Sequence, residues 1–157
     1  MTTTSSIYTI GGTVQAGRGL YIKRAADAEL LALCRDGAFA YVLTARQMGK
    51  SSLMTETADQ LNREGIRTVQ IDLTLIGTAL SAEQWYLGLA TEVADQLEME
   101  TDPLAWWDAR AHLGAAQRLT NFLREVVLDE IAAPIVIFVD EIEIGRASCR
   151  ERVCLYV

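Results

Sequence analysis

The sequence predicts a three-layer α/β fold with a parallel sheet, on three observations. An apolar run at 39–43 leads through a short turn into Gly49-Lys50-Ser51 and then a helical pattern. An alternating run at 66–73, rich in Ile and Val, follows that helix. Strand, loop, helix and strand make one βαβ unit with a parallel pair and a right-handed crossover. Much later, Ile135-Val136-Ile137-Phe138-Val139 ends in Asp140-Glu141. Five consecutive apolar residues read as a strand buried on both faces.

The elements follow in order. Residues 1–20, rich in Thr, Ser and Gly, form an N-terminal extended arm, with a loop punctuated by Gly11-Gly12 and Gly17-Arg18-Gly19. Residues 25–36 read as a helix carrying Leu30, Leu31 and Leu33; Asp27 and Glu29 sit near its first turn and Gly37 stops it. The run at 39–43 reads as a buried strand. The helix at 51–64 places Leu53, Met54, Ala58 and Leu61 on one side and stops at Gly65. The strand at 66–73 ends near Asp72, and 74–80 is a loop around Gly77. Ser81 with Gln84 fits a capping box, opening a helix with Trp85, Leu89, Val93 and Leu97 at core spacing. Asp102-Pro103 breaks that helix. Trp106-Trp107 begins a second helical piece that includes His112, with Gly114 breaking or capping it. The helix at 115–130 turns Leu119, Phe122, Leu123, Val126 and Val127 inward.

Two stretches carry chemistry. Behind an apolar strand and before a helix, Gly49-Lys50-Ser51 has the layout of a phosphate-binding loop. Gly49 lets the backbone approach a phosphate, Lys50 supplies a point charge to the β- and γ-phosphates, and the Ser51 hydroxyl can ligate Mg²⁺. The usual pattern opens with Gly five positions earlier, where this chain has Thr44. The acids Asp140 and Glu141 emerge at the carboxyl end of their strand, where open α/β sheets bind ligands. There Asp140 would hold Mg²⁺, directly or through water, opposite Ser51. Glu141 would orient and deprotonate an attacking water.

Composition bounds the rest. The chain has 157 residues, half of them hydrophobic, and a formal net charge of −7. That suggests one domain with enough apolar residues for a core. No apolar run approaches a membrane span, and the N-terminus lacks a basic, apolar signal, so we expect a cytoplasmic protein with no membrane partner. Acidity argues against non-specific nucleic-acid binding.

The C-terminus stands apart. Residues 144–153, Ile-Gly-Arg-Ala-Ser-Cys-Arg-Glu-Arg-Val, resemble a translated sequencing adapter: ATC GGA AGA GCG TCG TGT AGG GAA AGA GTG encodes that decapeptide. We therefore expect 144–157 to be a non-native tail and exclude it from the fold; residue 143 is Glu here, with Asp the other acidic possibility. Cys149 and Cys154 leave with the tail, and Cys34 alone cannot form an internal disulfide. Three of the 14 basic residues and one of the 21 acidic residues lie in the tail, so the charge without it is −9.

The runs 41–53, Ile71-Asp72-Leu73-Thr74, Glu83-Gln84-Trp85-Tyr86-Leu87-Gly88-Leu89 and Ile137-Phe138-Val139-Asp140-Glu141 resemble the AAA-like domain of bacterial signalling NTPases related to the STAND class. The resemblance covers about 8–143, and Arg46-Gln47-Met48-Gly49-Lys50-Ser51-Ser52 matches the family's loop, which tolerates a non-Gly opening residue. It implies a three-layer P-loop NTPase fold of the additional-strand type, binding ATP and Mg²⁺ and followed by a WD40 or other repeat or effector domain. It also implies that the loop strand and the Asp-Glu strand are separated by a later strand absent at 21–143, leaving the fold incomplete. Alone, the chain would leave a gap in its sheet or force a substitute pairing, so we expect 1–157 to be aggregation-prone or molten. The resemblance further places 21–24 against adenine, although Lys23 and Ala25 depart from the family's Gly-Arg-Glu pattern.

Arg46 either touches a phosphate or is a solvated turn residue. His112 is expected on a polar helix surface. Trp85, Trp106 and Trp107 are expected in core packing rather than base stacking, and Asp72 as a cap rather than a metal neighbour. Three functions remain open: an ATP-binding switch with slow hydrolysis, as a single chain or a homo-oligomer; a P-loop small-molecule kinase; and an inactive, nucleotide-independent scaffold.

Overall fold

The structure, a computed structural model, describes residues 22–43, 48–76, 80–143 and 150–156, with side chains as far as Glu141. The expected arm at 1–20 and the loop residues Thr44, Arg46 and Gln47 lie outside the described residues.

Helix α1 (Ala25–Arg35) leads to strand β1 (Ala40–Leu43), and α2 (Lys50–Arg63) to β2 (Arg67–Asp72). A single helical turn, α3 (Leu73–Ile76), replaces the first part of the expected loop. It forms because Asp72 Oδ1 accepts the Thr74 backbone N–H at 2.9 Å and its hydroxyl at 2.6 Å. Helix α4 (Ala82–Leu97) opens on the expected capping box: Gln84 N–H donates to Ser81 Oγ at 3.2 Å and Ser81 N–H to Gln84 Oε1 at 3.0 Å. Helix α5 (Pro103–Asp108) ends before His112, which stands in a turn rather than on a helix.

The expected helix at 115–130 is interrupted. It comprises α6 (Ala115–Phe122), a π-helical turn at Leu123–Val127, and α7 (Leu128–Glu130). The inserted wide turn lets Phe122, Val126 and Val127 all be buried. Strand β3 (Ile135–Glu143) runs two residues past the acids, and β4 (Arg150–Tyr156) follows.

The sheet order is β1-β4-β3-β2. Strands β2 and β3 are parallel, from Arg67 opposite Ile135 to Asp72 opposite Asp140. β4 is antiparallel to both neighbours, so β1 runs parallel to β3. The parallel pairing expected from the sequence holds for β2 and β3, and the sheet is mixed because the segment expected to lie outside the fold supplies the antiparallel β4. The space between β1 and β3 is filled by β4 rather than left open. The reason is reach: six residues separate Glu143 from Arg150, and a parallel return needs a crossover of roughly a dozen.

Helices cover both faces. Val136 and Phe138 join Ala40 under α1 and α2, with Leu30, Leu31, Leu53 and Leu61. Ile135, Ile137 and Val139 point the other way, with Val69 and Ile71, into the layer of α4, α5 and α6 around Trp107 and Phe122. All five residues of the apolar run Ile135 to Val139 are buried, as the run predicts. Strand β1 corrects its expectation. Tyr41 is level with Val139 through Val153, so it faces the α4–α6 side, but that layer packs over β2 and β3. Tyr41 and Leu43, 59% and 55% exposed, are left uncovered.

Two polar devices hold the helical layer. Arg118 is buried; its guanidinium donates to the Leu113 and Trp107 carbonyls and to Glu83, which also accepts the Trp107 indole N–H at 2.6 Å. At the sheet's outer edge, the Gln96 carboxamide accepts from Gln70 N–H at 2.7 Å and donates to Gln70 C=O at 2.8 Å, occupying the edge as a neighbouring strand would.

Candidate functional site

Gly49 is the N-cap of α2, with φ +77°. A left-handed turn here is open to glycine and strained for other residues. It opens a helix whose first residues are Lys50 and Ser51, both half-buried. The first N–H groups of α2 have no intrahelical acceptor and, with the helix dipole, form an anion-favouring end. Ser52 follows half-buried in the same turn, and Met48 is exposed.

The acidic pair lies at the same end of the sheet. Leu43 and Ile142 are both level with Glu151 of β4, so β1 and β3 deliver their carboxyl ends side by side. Two strand spacings put these ends about 10 Å apart. Asp140 is buried at 7% exposure, and its Oδ1 accepts the Glu141 N–H at 2.7 Å. Between Val139 and Ile142, β3 makes three residue steps where β4 makes two. That is a bulge, and Glu141 takes the left-handed conformation in it, with φ 58°. The strand thus turns at the acids, and a non-glycine residue there stores roughly 1 kcal/mol of strain.

Of the residues singled out by sequence, Met48, Gly49, Lys50, Ser51 and Ser52 stand at the start of α2, and Asp140 and Glu141 near the carboxyl end of β3; Arg46 and Gln47 lie outside the described residues. Asp72 is level with Asp140 but caps α3, as the plainer reading expects. Trp107 is buried, and Trp85 and Trp106 pack against the same core. Among the described residues, no three His, Cys, Asp or Glu side chains converge to hold a metal. No helix of the described residues is long and apolar enough to cross a membrane. An open cleft of 510 Å³ runs along the outer edge of β2 by Gln70, Gln84, Gly88 and Glu92, and includes neither the loop nor the acids of β3.

One contact was not anticipated. The Arg24 guanidinium reaches from the start of α1 to the Met48 and Gly49 carbonyls, at 2.8 and 3.4 Å. The signal lay in its position: arginine occupies an N-cap, where Ser, Thr, Asp or Asn is preferred.

A left-handed glycine opening a helix, and a buried acid near the end of a strand paired in parallel, belong to an α/β domain, an architecture in which ligands generally bind at the carboxyl ends of the strands. The chain belongs to the AAA-like domain family, which it matches over residues 9–145. It is 40% identical over 147 residues to an uncharacterized WD repeat-containing protein of Synechocystis sp.. The match covers 88% of this chain and 12% of that relative, so the chain spans about an eighth of the relative's length. No solved structure matches it.

Proposed function

We propose that this domain binds ATP with Mg²⁺ and hydrolyses it slowly, as a STAND-type signalling or assembly switch. The observation that carries this reading is the left-handed Gly49 turn that opens α2, together with the buried Asp140 at the carboxyl end of the parallel β2–β3 pair. Membership in the AAA-like family supports nucleotide binding in general.

The residues present fit such a ligand. The α2 N-terminus offers backbone N–H groups to phosphate, and Lys50 offers a cation on the same turn. Ser51 would supply a neutral oxygen and Asp140 a buried carboxylate, hard donors of the kind Mg²⁺ takes alongside phosphate and water. Bound there, the cation supplies charge neutralisation of the phosphates. Glu141, turned out of the strand by its bulge, would hold the attacking water and accept its proton.

In the full-length protein, a C-terminal repeat domain would receive the switch, a reading supported by the WD repeats named in the relative. The 144–157 segment is proposed to be foreign to the natural domain, in which a parallel strand would fill the place of β4. The family match ending at residue 145 supports this, as does the connection too short for a parallel return.

Product analysis tests the function. The switch releases free phosphate from ATP alone, and Lys50→Ala abolishes the release. A phosphorylated small molecule would establish a kinase instead. Failure of the full-length protein to bind MgATP, with no effect of Lys50→Ala, would leave a nucleotide-independent scaffold.

A further inference from the structure

Arg24 sits at a position whose local role another residue type would fill better. At an N-cap, a short side-chain acceptor normally receives a helix N–H. Arginine has no acceptor, and the cap is organised differently: the Asp27 carboxylate accepts the Arg24 backbone N–H at 2.7 Å, while the Arg24 carbonyl accepts Asp27 N–H at 3.1 Å. The backbone at Arg24 is thereby held from both sides. Its side chain projects across to a segment 24 residues later, where Nη1 donates to Met48 C=O at 2.8 Å and Nη2 to Gly49 C=O at 3.4 Å. A Cβ at residue 49 would stand 3.1 Å from Nη2. Gly49 is therefore needed for the left-handed turn and also for the approach of the guanidinium.

Peptide planarity gives this contact a consequence. Within one peptide unit the C=O and the following N–H point in opposite directions. Holding the Met48 carbonyl toward Arg24 turns the Gly49 N–H away from it, while the Gly49 carbonyl is fixed by the Leu53 N–H at 3.0 Å, the first bond of α2. The same contact draws two carbonyl oxygens, which would repel an anion, onto a cation. A planar guanidinium can address two neighbouring carbonyls at once, whereas an ammonium acts as a point charge.

We propose that Arg24 is a positioning residue of the phosphate loop: by holding the Met48 carbonyl it sets the Gly49 N–H toward the nucleotide's phosphates. The inference rests on the nucleotide-site reading above. The test uses the full-length protein, titrated with a fluorescent ATP analogue and Mg²⁺, and melted separately without nucleotide. Arg24→Ala weakens nucleotide binding by about tenfold, equivalent to about 1.4 kcal/mol, and Arg24→Lys recovers only part of the loss. Guanidinium ion at low millimolar concentration restores part of the affinity of Arg24→Ala and none to Lys50→Ala. If Arg24→Ala melts lower yet binds within about twofold of wild type, the residue only fastens α1 and the inference is overturned. If Arg24→Ala does not fold, Arg24→Lys decides: wild-type affinity in that variant overturns the proposal, and weaker binding at an unchanged melting temperature supports it. A wild-type protein that binds no MgATP brings down the site reading itself, a result distinct from a wild type that binds and an Arg24 variant that binds equally well.

Discussion

Alanine at Gly49 and at Gly65 separates two contributions that coincide in the loop. Both residues are left-handed, at φ +77° and +83°. An L side chain in that region costs roughly 1–2 kcal/mol. At Gly65, just beyond α2, an added Cβ meets nothing within 4 Å, so backbone strain is the whole penalty. At Gly49 the Cβ would lie 3.1 Å from Arg24 Nη2. The guanidinium is the far end of a flexible side chain, so it swings away and loses its bonds to the Met48 and Gly49 carbonyls. One of these is short and one long, and both are exposed, so their loss adds about 1 kcal/mol. Gly65→Ala is thus expected to destabilise by roughly 1–2 kcal/mol and Gly49→Ala by roughly 2–3 kcal/mol. With a urea dependence of about 2 kcal/mol per molar, the two midpoints differ by about half a molar. Tryptophan fluorescence follows the unfolding of the domain carried to its natural boundary, since Trp107 is buried in its core. MgATP affinity falls in Gly49→Ala alone. Equal losses of stability and of affinity in both variants would refute the reasoning.

Further predictions address other parts of the molecule. Arg118→Met keeps the buried stem but strands the Leu113 and Trp107 carbonyls. It should cost about 2–3 kcal/mol, below the usual range for a broken buried pair because Glu83 is half exposed and can be solvated; an unchanged melting temperature would count against this. A hydrogen bond from Arg35 lowers the Glu64 pKa, and one from Thr101, with the Glu100 and Thr101 N–H groups, lowers that of Glu130. Their stabilising contribution is therefore present above the unfolded value of roughly 4.3 and is lost as pH falls through the lower folded values. Urea midpoints measured from pH 6 to pH 3 should fall more steeply for wild type than for Glu130→Gln, and parallel curves would refute this. Residues 1–157 alone should unfold broadly and bind a hydrophobic dye; a steep two-state urea transition would count against an incomplete domain.

Local chemistry made much of this fold legible. The Ser81–Gln84 box, the Gly37 and Gly65 stops and the apolar run of β3 each act within a few residues, and each appears where the sequence places it. What the sequence did not show depends on distant partners. The exposed face of β1 follows from how far the α4–α6 layer extends, which no residue of β1 encodes. The π-helical turn at Leu123–Val127 answers packing against other helices, because periodicity alone favours an unbroken helix. The direction of β4 follows from the six-residue connection before it. At the site, the residue types at Gly49-Lys50-Ser51 and Asp140-Glu141 were readable. Their common sheet end required the topology, and the left-handed turn at Glu141 and the reach of Arg24 required coordinates.

In the proposed site, Ser51 and Asp140 would face one magnesium nucleotide. The most direct measurement is ATP affinity of the full-length protein with and without Mg²⁺, for wild type, Ser51→Ala and Asp140→Asn. Mg²⁺ should strengthen binding in wild type, with the gain from the cation lost in both variants. Tight binding indifferent to Mg²⁺, or a full Mg²⁺ gain retained in Asp140→Asn, would contradict it.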